Sequence, residues 1–323
     1  MSSYLPDKES TEAKLLIEAY PTASQEKIRE WSKLYGYARY KNFEDAVFGY
    51  YSVRRLPTVH QSNEGWEPSA INVPLRISLS KEPKTVMTLF DTHNPFQDEQ
   101  TMGLVERFMA KTMPDFLIYG GDANDFYPIS TFDKNPSRIN NLQADLNNTR
   151  AMFARHRVIL PETEMFLLAG NHCDRLQRFL WSEAPALASL KSLQIEELLT
   201  LKEYGIKFIP YEQGLMINDV FLVLHGDIAS IHSGYTAKRM YEKHGGCGIS
   251  GHCHRGGSFY KRDRFGTWGW WEGFCLCHLN PDWIKNPNWV QGFSLIHFRG
   301  KRFWVEQIPI IEHKFIYGGS VYE

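Results

Sequence analysis

The sequence has almost no net charge: 36 Lys and Arg are set against 37 Asp and Glu across 323 residues. Such a balance gives no overall field to draw in nucleic acid or a membrane surface, although a local basic face remains open. No apolar run approaches the ~20 residues that cross a bilayer, so no membrane partner is expected. The first ten residues carry no apolar signal-peptide core. Cysteine is scarce. The five present (Cys173, Cys247, Cys253, Cys275 and Cys277) are odd in number and follow no disulfide spacing. A reducing, cytoplasmic location is therefore expected. Internal repeats, low-complexity tracts and heptad patterns are missing too, which argues against solenoid and coiled-coil architectures.

Hydrophobic residues make up 43% of the chain and aromatics 14%. That supports a large core, with one large domain plus an appendage. The expected boundaries are a helical extension over 1–57, a linker or irregular segment over 58–80, and a main domain over 81–323. In the extension, Thr22 to Gln25 fits a capping box with Thr22 as N-cap. Ile28, Trp31, Leu34 and Tyr35 then share one helical face, with Gly36 as the stop. A further helix is predicted after Asn42, carrying Phe43, Val47, Tyr50 and Tyr51. Lys27, Arg29, Lys33, Arg39, Lys41, Arg54 and Arg55 outnumber Glu30, Glu44 and Asp45 here. Two readings stand: a helix-turn-helix-like nucleic-acid contact, or a packed extension with solvated charges. Pro57, Gly65, Pro68 and Pro74 punctuate the segment that follows.

From Lys84 onward, strands and helices alternate, and the strands end alike. Lys84 to Phe90 runs into Asp91, Thr92 and His93. Phe116 to Tyr119 runs through Gly120 and Gly121 into Asp122. Met165 to Ala169 leads to Gly170, Asn171 and His172. Val220 to Leu224 leads to His225, and Gly248 to Ser250 to His252 and His254. Ligands of α/β sheets bind beyond the carboxyl ends of strands, so these residues can meet in one site. Helices are predicted over Gln97–Thr112, Arg138–Arg157 (with Ile139, Leu142, Leu146 and Phe153 inward) and Leu187–Tyr204. A strand is predicted over Ile206–Tyr211, and a hairpin over Gly214–Leu224 turning at Asn218 and Asp219. Beyond Arg255 come short, Trp-rich strands; Trp268, Trp270, Trp271, Trp283 and Trp289 read as core or sheet cover, with base stacking the alternative. Cys275 and Cys277 read as packing residues, with a separate zinc site the alternative.

Asp91 and His93 are alternate residues, so both side chains can reach one ion, and His252 and His254 share that spacing. Mixed imidazole and carboxylate donors suit Mn, Fe or Zn better than Ca or Mg. Two ions at ~3.5–4 Å need a carboxylate between them, and Asp122 is the natural candidate.

Asp-x-His, Gly-Asp, Gly-Asn-His, His and Gly-His-x-His, in this order over residues 84–255, resemble the calcineurin-like metallophosphoesterase superfamily. The runs around Asn171, His225 and His254 are most similar to phage-encoded members. The resemblance implies an α/β fold, a four-layer αββα sandwich of the metallo-dependent phosphatase type with the helical extension at its N-terminus. It implies two divalent cations, Mn foremost, with Fe, Zn, Ni or Mg as alternatives. Asp91, His93, Asp122 and His254 would hold the first; Asp122, Asn171, His225 and His252 the second. His172 is the implied catalytic acid. Cys173 stands where the family often has Glu or Asp, which leaves the orientation of His172 open. Asn124 and Asp125 resemble an extended motif or form a turn. Arg175 and Arg255 either hold a phosphate oxygen or make structural pairs. Cys173 and Cys253 read as packing residues, and His60, His156, His232, His244, His278, His297 and His313 as ordinary ones. The expected function is phosphoester hydrolysis, with a nuclease or phosphodiesterase acting on nucleic acid first. The alternatives are a phosphomonoesterase on nucleotides or phosphoproteins, and a nucleic-acid-binding scaffold that retains the fold.

Overall fold

Two serines start the first helices of the chain. In the computed structural model, which describes residues 5–51, 73–135, 137–138, 141–211, 213–282 and 284–323, Ser10 caps α1 (Thr11–Ala19) by accepting from the Ala13 amide at 3.1 Å. Ser24 likewise caps α2 (Gln25–Leu34), accepting from the Lys27 amide at 3.2 Å. Thr22 is thus not the cap. Tyr20 to Thr22 form a turn of 3-10 helix with Pro21 in it, which places Thr22 inside the preceding turn. The chain leaves α2 through Gly36 at φ 75° and enters α3 (Tyr40–Tyr51). Leu16, Tyr20, Ile28, Phe43 and Val47 form a small core of their own. Leu34, expected on that buried face, is instead 70% exposed at the helix end. These helices belong to a unit spanning 1–69, and the rest of the chain, 70–323, forms a second. Arg54, Arg55, His60 and most of the segment read as irregular lie outside the described residues, as do Ile139 and Trp283.

The second unit begins with β1 (Leu75–Ile77), a strand within the segment read as irregular. There follow β2 (Lys84–Leu89), α4 (Glu99–Thr112), β3 (Phe116–Tyr119), α5 (Leu142–Ile159), β4 (Glu164–Leu168) and α6 (Asn171–Glu183). α4 and α5 start later than expected because Asp98 and Asn141 cap them, accepting from Thr101 and Ala144 amides. Leu187–Tyr204 is not one helix. Two 3-10 turns, Pro185–Leu187 and Lys191–Leu193, precede the short α7 (Ile195–Leu198). The order continues β5 (Ile206–Ile209), β6 (Leu215–Ile217), β7 (Phe221–Leu224), α8 (Tyr235–His244), β8 (Cys247–Ser250), β9 (Gly256–Asp263), β10 (Gly266–Gly273), β11 (Gln291–Arg299), β12 (Arg302–Ile310), β13 (Phe315–Tyr317) and β14 (Ser320–Tyr322). The β6–β7 hairpin turns at Asn218 and Asp219, both at positive φ, as a tight hairpin requires.

Two six-stranded sheets result, ordered β12-β11-β2-β3-β4-β5 and β1-β6-β7-β8-β10-β9. Alternation along the strands then builds four layers. Val86, Ile118 and Phe166 of one sheet meet Val223, Ile249 and Trp271 of the other in the central core. Their sequence neighbours Met87, Leu117, Tyr119 and Met165 point the other way, onto Phe108, Met152 and Phe153 of α4 and α5. Ala237 and Met240 of α8 cover the outer face of the second sheet against Leu224 and Trp270. This is the expected αββα sandwich. Trp270 and Trp271 are buried core residues, as their first reading had it.

Candidate metal centre

β2, β3 and β4 run parallel in one sheet, and β7 and β8 run parallel in the other. Their carboxyl ends therefore release their loops on one edge of the sandwich. The loops after β2 and β3 are zipped together: the His93 amide donates to Asp122 O at 2.8 Å and the Asn94 amide to Ala123 O at 3.0 Å. Asp91, His93, Asp122, His252 and His254 all adopt positive φ, between 47° and 66°. Non-glycine residues rarely do so, and clusters of them mark functional loops. Two glycines make room. A Cβ on Gly121 would fall on the His225 ring, and one on Gly170 on the Asp122 carboxylate.

The side chains meet as three overlapping groups: Asp91, His93 and His254; His93, Asp122 and His172; and Asp122, His225 and His252. In the first, His93 Nε2 and His254 Nε2 face each other at 3.1 Å. Asp91 Oδ1 lies 3.4 Å from His254 Nε2 and 3.7 Å from His93 Nε2. It makes no hydrogen bond to either and is a buried acceptor without a partner. Its other oxygen accepts from the His252 amide at 2.9 Å. In the third group, Asp122 Oδ2 lies 3.2 Å from His225 Nε2. Asn171 Oδ1 sits between His225 Nε2 at 3.0 Å and His252 Nδ1 at 2.8 Å. Asp122 Oδ2 is also 3.9 Å from His93 Nε2, so the aspartate stands between the two sets.

An orphaned, fully buried carboxylate oxygen beside two converging imidazole nitrogens is costly without a further partner, and a cation supplies one. The donor set fits divalent ions of the borderline kind. Proton affinities reflect the same crowding. Burial pushes the Asp91 carboxyl up, but His254 and His93 more than reverse this and hold it well below the usual carboxylate range. Asp122 is likewise lowered despite burial, by His172 and His225. Burial lowers His254, yet Asp91 and Cys277 bring it up to about 9. His252 is pushed down to about 4 by burial and by its neighbour His225.

His172 opens α6. Its amide donates to Asp122 Oδ1 at 2.9 Å, so the aspartate caps a helix whose own cap position is Gly170. Asp125, which the sequence left between an extended motif and a turn, organises this side of the site. Its Oδ2 takes His93 Nδ1 at 2.9 Å and His172 Nδ1 at 3.0 Å, and its Oδ1 takes Arg175 at 2.9 Å. The final Asp of Gly-Asp-x-x-Asp, Gly121 to Asp125, was the available signal. Arg175 stands at the site, with its Nη2 3.1 Å from His172 Nε2. The other two substrate candidates do not point into the cluster. Asn124 is fully buried, its amide bonded to Asp145 O at 3.0 Å and Thr149 Oγ1 at 2.7 Å in α5. Arg255 binds Asn288 Oδ1 at 2.7 Å and Cys253 O at 2.8 Å. Cys173 and Cys253 are buried thiols, each pushed up to about 12 chiefly by burial, which suits packing. Cys275 and Cys277 are buried beside His254 and form a further donor group with it.

No protein-family model matches the chain. Over 254 residues it is 25% identical to the gene 54 protein of Mycobacterium phage D29, covering 74% of this chain and 99% of that one. It is 24% identical, with the same coverage, to the gene 54 protein of Mycobacterium phage L5. Among solved structures it is similar to Vps29 of Chaetomium thermophilum, with a TM-score of 0.39 and 11% identity over 71% of this chain and 87% of that one. It is also similar to Yfce, a phosphoesterase from E. coli, with a TM-score of 0.32 and 12% identity over 65% and 87%.

Proposed function

We propose that the chain is a phosphoester hydrolase dependent on two divalent cations, Mn foremost, and that nucleic acid is its substrate. The observation that carries this is the orphaned Asp91 Oδ1 among His93 and His254, with Asp122 linking that group to His225 and His252. Asp91, His93, His254 and Asp122 would hold one cation; Asp122, Asn171, His225 and His252 the other. When bound, such a pair activates water and offsets charge on the phosphoryl oxygens.

The chain's own residues do the rest. Asp125 fixes the His172 ring through Nδ1, so Nε2 faces the cluster, 3.7 Å from Asp122 Oδ2. Nε2 accepts from Arg175 in this geometry, so it takes up a proton and gives up that contact before it protonates the departing ester oxygen. Arg175, anchored by Asp125, presents its guanidinium beside His172 for a phosphate oxygen. The nucleic-acid reading draws on the exposed Lys33, Arg39 and Lys41 of the N-terminal helices and on the phage relatives. Five free cysteines suit a cytoplasmic location. Among the described residues no helix is long and apolar enough to cross a membrane.

The test is a Mn-supplemented panel of single- and double-stranded DNA, RNA, a bis-aryl phosphate and an aryl monophosphate, with Asp122→Ala as control. Metal-dependent cleavage of the polymers, lost in the control, is expected. Cleavage of the aryl monophosphate alone would replace the nuclease reading with a phosphomonoesterase. Turnover that survives metal stripping would remove the mechanism altogether.

A further inference from the structure

We propose that Cys277 is the positioning residue that fixes His254 on the first cation. The inference rests on the two-cation reading above. His254 turns Nε2 toward His93 and Asp91, so that nitrogen is the one available to the ion. The other ring nitrogen, Nδ1, lies 3.9 Å from Cys277 Sγ. An imidazole that ligates through Nε2 carries its proton on Nδ1, and that N–H then donates to the sulfur. Metal-bound histidines ordinarily hand this proton to a carboxylate, a carbonyl or water, which sets the tautomer and the ring orientation. Here a cysteine sulfur takes that place, softer than an oxygen acceptor.

The sulfur is held firmly enough to act this way. Cys277 O accepts from Gln291 Nε2 at 3.0 Å, and the flanking Leu276 amide donates to Asp91 O at 3.2 Å. The His278 amide donates to Phe96 O at 2.9 Å, so the segment is bonded on both sides to the loop that carries the first ligands. Cys277 is 3% exposed. Trp289 closes the ring from another direction, with its centroid 4.2 Å from that of His254. Cys277 groups with His254 and Cys275 and does not join the Asp91, His93 and His254 group, which places it behind the ligand and not on the ion.

The experiment compares full-length wild type, Cys277→Ala, Cys277→Ser and Cys275→Ala by calorimetric titration of the metal-free proteins with Mn²⁺, and by absorption spectra with Co²⁺. The expected result is a loss of ~10–100-fold in the affinity of one of two binding steps in Cys277→Ala. Cys277→Ser, whose hydroxyl also accepts a hydrogen bond, recovers most of that loss, and Cys275→Ala leaves both steps near wild type. The Co²⁺ protein shows ligand-field bands without an intense sulfur-to-metal band. If wild type binds no cation, the two-cation reading fails. If wild type binds and Cys277→Ala binds equally well, Cys277 has no such role. An intense sulfur-to-cobalt band abolished by Cys277→Ser would make the sulfur a ligand and overturn the proposal. Equal weakening in the Ala and Ser variants, tracking a lowered melting temperature, would reduce it to packing.

Discussion

Replacing Gly170 with alanine adds a single methyl group at the point where the candidate centre is tightest. The residue has φ −107° and ψ −176°, extended backbone that any L-residue adopts, so the backbone dihedrals alone cost nothing. The obstacle is steric. The new Cβ would lie on Asp122 Oδ1 and 2.7 Å from both Asp122 Cγ and its backbone nitrogen, where ordinary contact begins at 3.4 Å. Either Asp122 or the start of α6 must retreat by at least about 0.7 Å, the shortfall at Cγ and the nitrogen, and by more where the Cβ meets Oδ1. Asp122 is 1% exposed and held by the His172 amide, so neither partner yields freely. Overpacking of this kind costs ~1–3 kcal/mol. At roughly 2–4 °C per kcal/mol for a domain of this size, melting falls by about 2–12 °C in metal-free protein. A second effect follows from which residue is displaced. Asp122 stands between both donor sets, so on the proposed two-cation reading Gly170→Ala should weaken both cations together and His252→Ala one. Thermal unfolding with and without Mn²⁺, paired with metal content after dialysis, separates the effects. The variant should melt lower when metal-free and gain less from added Mn²⁺. A Gly170→Ala protein with wild-type melting and full metal content would refute the reasoning.

Three further outcomes are expected. His172→Ala should lower kcat by ~10²–10⁴-fold while metal content stays near wild type, since the proposed role of His172 is to move a proton and not to ligate; loss of metal in that variant would reassign it. Asp125→Asn should weaken the first cation by ~10–100-fold through His93 and also slow turnover at saturating Mn²⁺ through His172 and Arg175; complete recovery in excess Mn²⁺ would confine Asp125 to His93. Below pH 9 the metal-free His254, raised to about 9 by Asp91 and Cys277 against the effect of burial, carries a proton that a cation must displace. Binding at pH 7.5 should therefore release protons, and affinity should rise with pH toward 9. Calorimetry in buffers of different ionisation enthalpy reads this directly, and heats that do not depend on the buffer would contradict it.

What the sequence disclosed and what it hid divide along a physical line. Strand ends were legible, because an apolar β-prone run that stops at Gly-Asp or Gly-Asn-His marks both a sheet's edge and the side chains delivered there. Asp125 was not, because an aspartate in a turn and one bonding two histidines and an arginine read alike; the partners lie 32, 47 and 50 residues away. Cys277 hid for the same reason, since nothing in Cys-Leu-Cys announces that an imidazole 23 residues earlier lies against the sulfur. Leu187–Tyr204 misled because an apolar, turn-poor stretch reads the same whether it forms one helix or short 3-10 turns.

The five candidate donor residues at positive φ pose a sharper case. Left-handed backbone at a non-glycine residue costs on the order of 1–3 kcal/mol where it is strained, and less for Asp and His, which tolerate it best. It persists because the loops are bonded to one another, His93 to Asp122 O and His252 to Asp91 Oδ2, so no one loop can relax alone. The arrangement aims the donors at one another, so on the proposed reading a cation would meet a site already turned toward it. The stability given up in the backbone lowers the reorganisation that binding would otherwise require.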